Sequence, residues 1–154
     1  MSTEKVPAII VDLDGTLTDP SHRQHHIEKH PKNWDAFFDG IQGDPPNQWC
    51  VQLIRGMRSI GFRILFVTGR DVTHKDETLL WLNRHNYFLE MTDIHLFMRA
   101  KDDKRPDNIV KSEIYTRSIE QRFNVLYALE DRKRVADMWR EIGITCLHCA
   151  EGNF

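Results

Sequence analysis

Asp12-Leu13-Asp14-Gly15-Thr16 sets two carboxylates one residue apart at the end of an apolar run, with a glycine directly after them. Leaving a buried strand through a glycine turn, both acids can face one small site. The same string also reads as an ordinary Asp/Gly turn. As a calcium loop it is incomplete, because the ligands expected at later spacings are missing. Glu130-Asp131 closes another apolar run, and adjacent acids at the end of a sheet repel each other unless a cation holds them. Thr68-Gly69-Arg70 follows a third run and on its own reads as a turn. Lys111 on its own reads as a solvated helix lysine. What distinguishes the set is its order along the chain and its place at strand ends.

The elements that carry these residues alternate. Pro7 to Asp12 reads as a buried strand. A helix with Cys50, Leu53, Ile54 and Met57 on one face follows, stopped at Gly61. Phe62 to Val67 is the next strand, then a helix around Leu79, Leu80 and Leu82, and a strand at Ile94 to Met98. Pro106 opens a further helix, at the one position where its missing N–H costs nothing. Phe123 to Leu129 is a strand, Val135, Met138, Trp139 and Ile142 mark a helix, and Ile144 to Leu147 a last strand. This alternation predicts an α/β fold, a Rossmann-like parallel sheet with helices on both faces. Ligands bind such sheets at the carboxyl ends of the strands, where Asp12, Asp14, Thr68, Glu130 and Asp131 fall.

Length and composition bound the rest. With 154 residues, 40% hydrophobic, the chain reads as a single domain over residues 1–154. At this size no disulfide or metal staple is needed, and three cysteines suit a reducing compartment. No apolar run approaches a membrane span, and Met1 to Lys5 do not open a secretory signal. A cytoplasmic location is expected. Twenty-one basic against 23 acidic side chains give a net charge of −2, which argues against a polyanion held across a broad face but not against one or two gripped phosphates. One segment breaks the alternation. Residues 19–47 hold four histidines, several prolines and glycines, and one apolar patch at Trp34, Phe37 and Phe38. Their length and position predict a small cap with a short helix near Lys32 to Phe38.

Asp12-Leu-Asp14-Gly-Thr, Thr68 after a strand, Lys111 and Glu130-Asp131 together resemble the four motifs of the haloacid dehalogenase superfamily of phosphotransferases. Within it, the chain resembles the 3′-phosphatase domain of the bacteriophage polynucleotide kinase/phosphatases. That narrower likeness rests on Val67-Thr-Gly-Arg70, Leu96-Phe-Met-Arg99, Arg105-Pro-Asp-Asn-Ile-Val-Lys111, Glu130-Asp-Arg132, Met138-Trp-Arg140-Glu-Ile-Gly143 and Ala150-Glu-Gly-Asn-Phe154. The resemblance implies a HAD-like fold and a Mg²⁺-dependent phosphomonoesterase acting through an aspartyl-phosphate on nucleic-acid 3′ ends. Asp12 would be the nucleophile and Asp14 the acid and base. Thr68 and Lys111 would bind and neutralise the phosphate. Asp12, Asp14 through its main-chain carbonyl, Asp131 and, in close support, Glu130 would hold the metal. The family more often has two aspartates where this chain has Glu130-Asp131. No Gly-x-x-x-x-Gly-Lys-[Ser/Thr] occurs, so a 5′-kinase activity is not expected here and a separate kinase or ligase could act beside the protein.

Substrate contacts are expected from Gly69 and Arg70, where a guanidinium suits phosphate, and more weakly from Arg105, Arg132, His22 and Arg23. Arg70 reads equally well as a surface arginine, Asp131 as an N-cap of the last helix, and the aromatic patch as cap packing rather than base stacking. Cys146-Leu-His-Cys149 follows a strand rather than opening a helix and lacks further zinc ligands, which disfavours a redox or zinc role. Two alternatives stand beside the 3′-phosphatase: a phosphatase of free nucleotides or other small phosphomonoesters, and a binding module on an inactive fold.

Overall fold

The computed structural model describes residues 4–85 and 94–152. The closing Asn153-Phe154 of the matched segment lies outside them. Five strands form one parallel sheet: β1 Val6–Val11, β2 Arg63–Asp71, β3 His95–Arg99, β4 Phe123–Glu130 and β5 Cys146–His148, in the order β3-β2-β1-β4-β5. β1 is central because Ala8, Ile9, Ile10 and Val11 are apolar on both sides and at most 1% exposed. Successive side chains point to opposite faces. Ile9 and Val11 join Cys50, Val51 and Ile54 of α3 (Gln48–Ser59) and Trp81 and Leu82 of α4 (Lys75–Arg84). Ala8 and Ile10 join Val135, Met138 and Trp139 of α6 (Lys133–Glu141), with α5 (Asp107–Ile114) packed beside it. Helices therefore cover both faces, as the alternation predicts.

The strand order reverses at β1. β2 and β3 build outward on one side, β4 and β5 on the other, so the switch point lies between β1 and β4. The carboxyl ends of those two strands carry Asp12 and Glu130-Asp131.

Two local expectations need correction. β2 does not turn at Thr68-Gly69-Arg70 but runs on to Asp71, because pairing with β3 resumes at Asp71↔Arg99 after an irregularity beyond Thr68↔Met98. Asp131 does not cap the last helix. Arg132 holds the N-cap position, without a side-chain bond, which leaves the Asp131 carboxylate free to face elsewhere.

Residues 19–47 fold back on themselves through α1 (His25–Glu28) and α2 (Trp34–Asp39), the latter capped by the Asn33 side chain accepting from Ala36 N at 3.1 Å. Asp19 N donates to Pro45 O at 2.9 Å and Asn47 N to Leu17 O at 2.8 Å, closing the neck. Ile27, Phe37 and Ile41 anchor the segment inward. No helix among the described residues is long and apolar enough to cross a membrane.

Candidate active site

β1 delivers Asp12 to the end of the sheet, 6% exposed. Lys111, buried on α5, donates to Asp12 Oδ1 and to Glu130 Oε2, both at 2.8 Å. Thr16 Oγ1 donates to the other Asp12 oxygen at 3.2 Å. Burial would lower the Lys111 ammonium, but Asp12 and then Glu130 hold it well above the usual lysine range. A buried charge bridging two acids stays charged and fixed.

Asp131 follows Glu130 at the end of β4 and is buried in a glycine niche. A Cβ on Gly15, whose φ is +86°, would lie 2.2 Å from Asp131 Oδ2, and one on Gly152 would lie 2.4 Å from it. Gly15 is thus required twice, by its left-handed backbone and by the carboxylate against it. His148 Nε2 lies 2.8 Å from the Asp131 carbonyl, and Gly152 N donates to it at 3.0 Å.

Oxygen atoms of Asp12, Glu130 and Asp131 all lie within 4.8 Å of one another. Burial, and then the nearby Asp12 charge, pushes both Glu130 and Asp131 upward from the ordinary carboxylate range. Three buried carboxylates facing one ammonium are short of positive charge, and an all-oxygen set suits a hard divalent cation. These residues fit Mg²⁺.

The Asp14 carboxylate turns away from this group. Arg70 grips it with two bonds, Nε to Oδ2 at 3.0 Å and Nη2 to Oδ1 at 2.7 Å, and Arg23 Nη2 donates to Oδ1 at 2.5 Å. Burial would raise this group, but Arg70 and then Arg23 hold it well below the usual carboxylate range. Arg70 is therefore no surface arginine; it is 1% exposed and also donates to Thr78 Oγ1 at 3.0 Å. Thr68, also buried, accepts from Arg70 N at 3.1 Å. The β1–β2 register sets Thr68 one step beyond the level of Asp12.

Arg23 brings residues 19–47 into the site. Asp44 accepts from its Nε at 2.7 Å and its Nη2 at 2.6 Å, and the guanidinium lies 4.1 Å from the Phe37 ring centroid. His22, expected to reach the pocket, instead meets Asp44 Oδ1 at 2.7 Å and does not line the cleft.

The cleft above Asp12 is about 530 Å³, with Gly69, Arg70, Arg105 and Arg132 in its walls. Arg105 is a rim residue whose guanidinium is taken by Asp103 and Glu113. Arg132 Nη1 donates to Asp107 Oδ2. Arg99 binds the other Asp107 oxygen and donates to Gly69 O at 2.8 Å. Gly69 permits this approach, since a Cβ there would meet Asp107 Oδ1 at 2.7 Å.

Arg99 and Asp107 lie in segments that carry the family likeness, but neither residue type nor spacing marks them as functional. Asp44 had no signal at all. The thiols are pushed up by burial, Cys146 to about 12 and Cys149 to about 11, which leaves neither a thiolate at neutral pH.

A parallel sheet of this order, with Asp12, Thr68, Lys111 and an acidic pair at one end, defines a phosphatase of the haloacid dehalogenase type. More narrowly, the family model of the polynucleotide kinase PNKP phosphatase domain matches residues 6–154, and the chain belongs to that family. Two structures of a Pnkp1/Rnl/Hen1 complex, one described as an RNA repair complex, superpose with TM-scores of 0.80 at 27% and 26% identity. They cover 99% and 100% of this chain, and 48% and 47% of the matched chains. A protein of Autographa californica nuclear polyhedrosis virus, described as a bifunctional polynucleotide kinase/RNA ligase, is 27% identical over 143 residues. That match takes in 92% of this chain and 19% of the viral protein, so the chain spans under half of these relatives. The class C acid phosphatase of Bacillus anthracis shares the fold at a TM-score of 0.64 and 20% identity, over 91% of this chain and 62% of that one.

Proposed function

We propose that this protein is a Mg²⁺-dependent phosphomonoesterase that removes 3′-phosphate from nucleic-acid ends through an aspartyl-phosphate on Asp12. The observation that carries the reading is the buried group Asp12, Glu130, Asp131 and Lys111 at the sheet's switch point, in a chain of the polynucleotide kinase phosphatase family.

An Asp12 carboxylate oxygen forms a bond to phosphorus as the bond to the leaving alcohol breaks. Water then attacks the aspartyl-phosphate, inorganic phosphate leaves and Asp12 is restored. Asp14 gives a proton to the leaving oxygen and takes one from the attacking water. In the structure Asp14 is gripped by two arginines, the ionised state that accepts from water. Substrate phosphate oxygens compete for Arg70, and withdrawing that guanidinium lets the carboxyl take up the proton it must donate. Lys111 supplies fixed charge, and the Thr68 hydroxyl faces the phosphate oxygens.

Asp12, Asp131 and the Asp14 main-chain carbonyl would hold the metal with Glu130 beside them, and Mg²⁺ supplies charge neutralisation for a carboxylate meeting a phosphate dianion. Residues 19–47 act as a cap, since Arg23, held by Asp44 and Phe37 of the same segment, ties them to Asp14. The kinase and ligase named in the relatives' descriptions favour RNA ends and a kinase or ligase as working partner, and the three cysteines favour a cytoplasmic setting. The near-zero net charge favours a second reading, a phosphatase of free nucleotides or other small phosphomonoesters.

Phosphate release is to be measured with Mg²⁺ and with EDTA. The substrates are a 3′-phosphorylated RNA or DNA oligonucleotide, 3′- and 5′-mononucleotides, and sugar phosphates. Preference for the oligonucleotide, weakening with salt and abolished by EDTA, is expected. Equal or better turnover of mononucleotides selects the second reading.

A further inference from the structure

Phosphoryl transfer at Asp12 makes no use of the aromatic wall of the cleft. Trp34 and Phe38 of α2 line it beside the catalytic acids, together with His74. Phe37 is buried and anchors the helix. Trp34 is 39% exposed, although its indole is the largest apolar surface on that short helix. Its ring stacks on Phe38 at 5.9 Å with 24° between the planes and meets Phe37 edge-on at 5.7 Å. Phe38 in turn lies 4.6 Å from the His74 ring. The rings therefore fix one another, and Phe37 lies against the same Arg23 guanidinium that holds Asp14. A platform braced this way keeps its orientation relative to the reacting end of the cleft.

Cations sit around it. Lys32 Nζ is 5.5 Å from the Trp34 centroid. Lys104 and Arg134, exposed in the same cleft, form no ion pair among the described residues. Exposed aromatic faces beside unpaired cations suit a single-stranded end, because every base presents a π-face while the backbone seeks positive charge. At about 530 Å³ the cleft is within the usual size of sites that enclose small ligands.

We infer that Trp34 is a substrate-binding residue that stacks on the terminal nucleobase while the phosphate reaches Asp12. This rests on the phosphatase reading above and adds the group that the site recognises beyond the phosphate. Stacking on one face reads no base edge, so the subsite accepts all four bases and discriminates against substrates without one.

The test compares wild type, Trp34→Ala and Trp34→Phe. The substrates are a 3′-phosphorylated oligonucleotide, the same oligonucleotide with an abasic terminal residue, a 3′-mononucleotide and p-nitrophenyl phosphate. Trp34→Ala should lose about 5- to 100-fold in kcat/KM on the two base-bearing substrates, mainly through KM. It should stay within about twofold of wild type on the abasic oligonucleotide, which presents the phosphate without a π-face, while p-nitrophenyl phosphate reports turnover at the catalytic group itself. Trp34→Phe should recover most of the loss. Equal losses on all four substrates would mean that Trp34 only props the helix, and no loss on any would mean that the base lies elsewhere. Either result overturns the inference while leaving the phosphatase reading intact. Wild-type turnover of p-nitrophenyl phosphate without turnover of either base-bearing substrate would overturn both.

Discussion

Asp44→Ala tests how residues 19–47 are fastened to the chemistry. Asp44 is 2% exposed, and its carboxylate takes two bonds from Arg23 and one from His22. Removing it leaves the Arg23 guanidinium, itself 1% exposed, with Asp14 and the Phe37 carbonyl. Breaking a buried pair typically costs about 3–5 kcal/mol. Two partners remain to Arg23, so the low end, about 3 kcal/mol, applies here. For a domain of this size that is a fall in Tm of roughly 6–12 °C. Arg23 would also lose the grip that fixes it against Asp14, so turnover of p-nitrophenyl phosphate should drop on the order of 10- to 100-fold. Thermal melts and single-substrate kinetics of Asp44→Ala, Arg23→Met and the double variant read both effects. Within one buried network the effects should not add. The double variant should melt no lower than Asp44→Ala, because the stranded charge is gone. A melt of Asp44→Ala within 2 °C of wild type, or strictly additive losses, would refute the reasoning.

Other outcomes follow from the same geometry. Gly152→Ala drives a methyl group to 2.4 Å from Asp131 Oδ2 and should cut phosphate release on the order of 100-fold in steady-state kinetics. Gly56→Ala, with nothing within 4 Å on a helix surface, should keep full activity and melt slightly higher, by about 0.4–1 kcal/mol of stability. Replacing Lys104 and Arg134 together by Ser should weaken oligonucleotide binding and flatten its log–log salt dependence by about 0.7 per lost phosphate contact, leaving p-nitrophenyl phosphate turnover unchanged. Hydrogen bonds from Arg105 lower Asp103 to about 2. This contribution is present above the ordinary carboxylate pKa and is lost as pH falls through about 2. Protection factors of the amides of residues 101–105 should fall over that window in wild type and not in Arg105→Ala.

Strand-end acids were legible because a strand buried on both faces must be a continuous apolar run, so an acid ending it is conspicuous. That signal exposed Asp12, Glu130 and Asp131. The continuation of β2 through Gly69 was not legible, since it depends on pairing with β3 across an irregularity, a contact made only in three dimensions. Arg70 reads equally well as a surface arginine, and Arg23 as a weak substrate contact, because nothing in their spacing shows that the fold buries both against Asp14. Asp44 lies 21 residues from Arg23 in a segment without periodicity, where no spacing rule links a base to its acid. The N-cap reading of Asp131 failed for a related reason: local propensity favoured a cap, whereas the Gly15 and Gly152 niche turned the carboxylate toward Asp12.

The central claim is that Asp12 takes the phosphoryl group. It is tested most directly by acid-quenching the protein during turnover of a 3′-phosphorylated oligonucleotide and mapping the covalent adduct by peptide mass spectrometry. The account predicts one phosphoryl group on Asp12 in wild type, and neither adduct nor phosphate release in a folded Asp12→Asn variant. A phosphoryl group on another residue, or sustained release by Asp12→Asn, would contradict it.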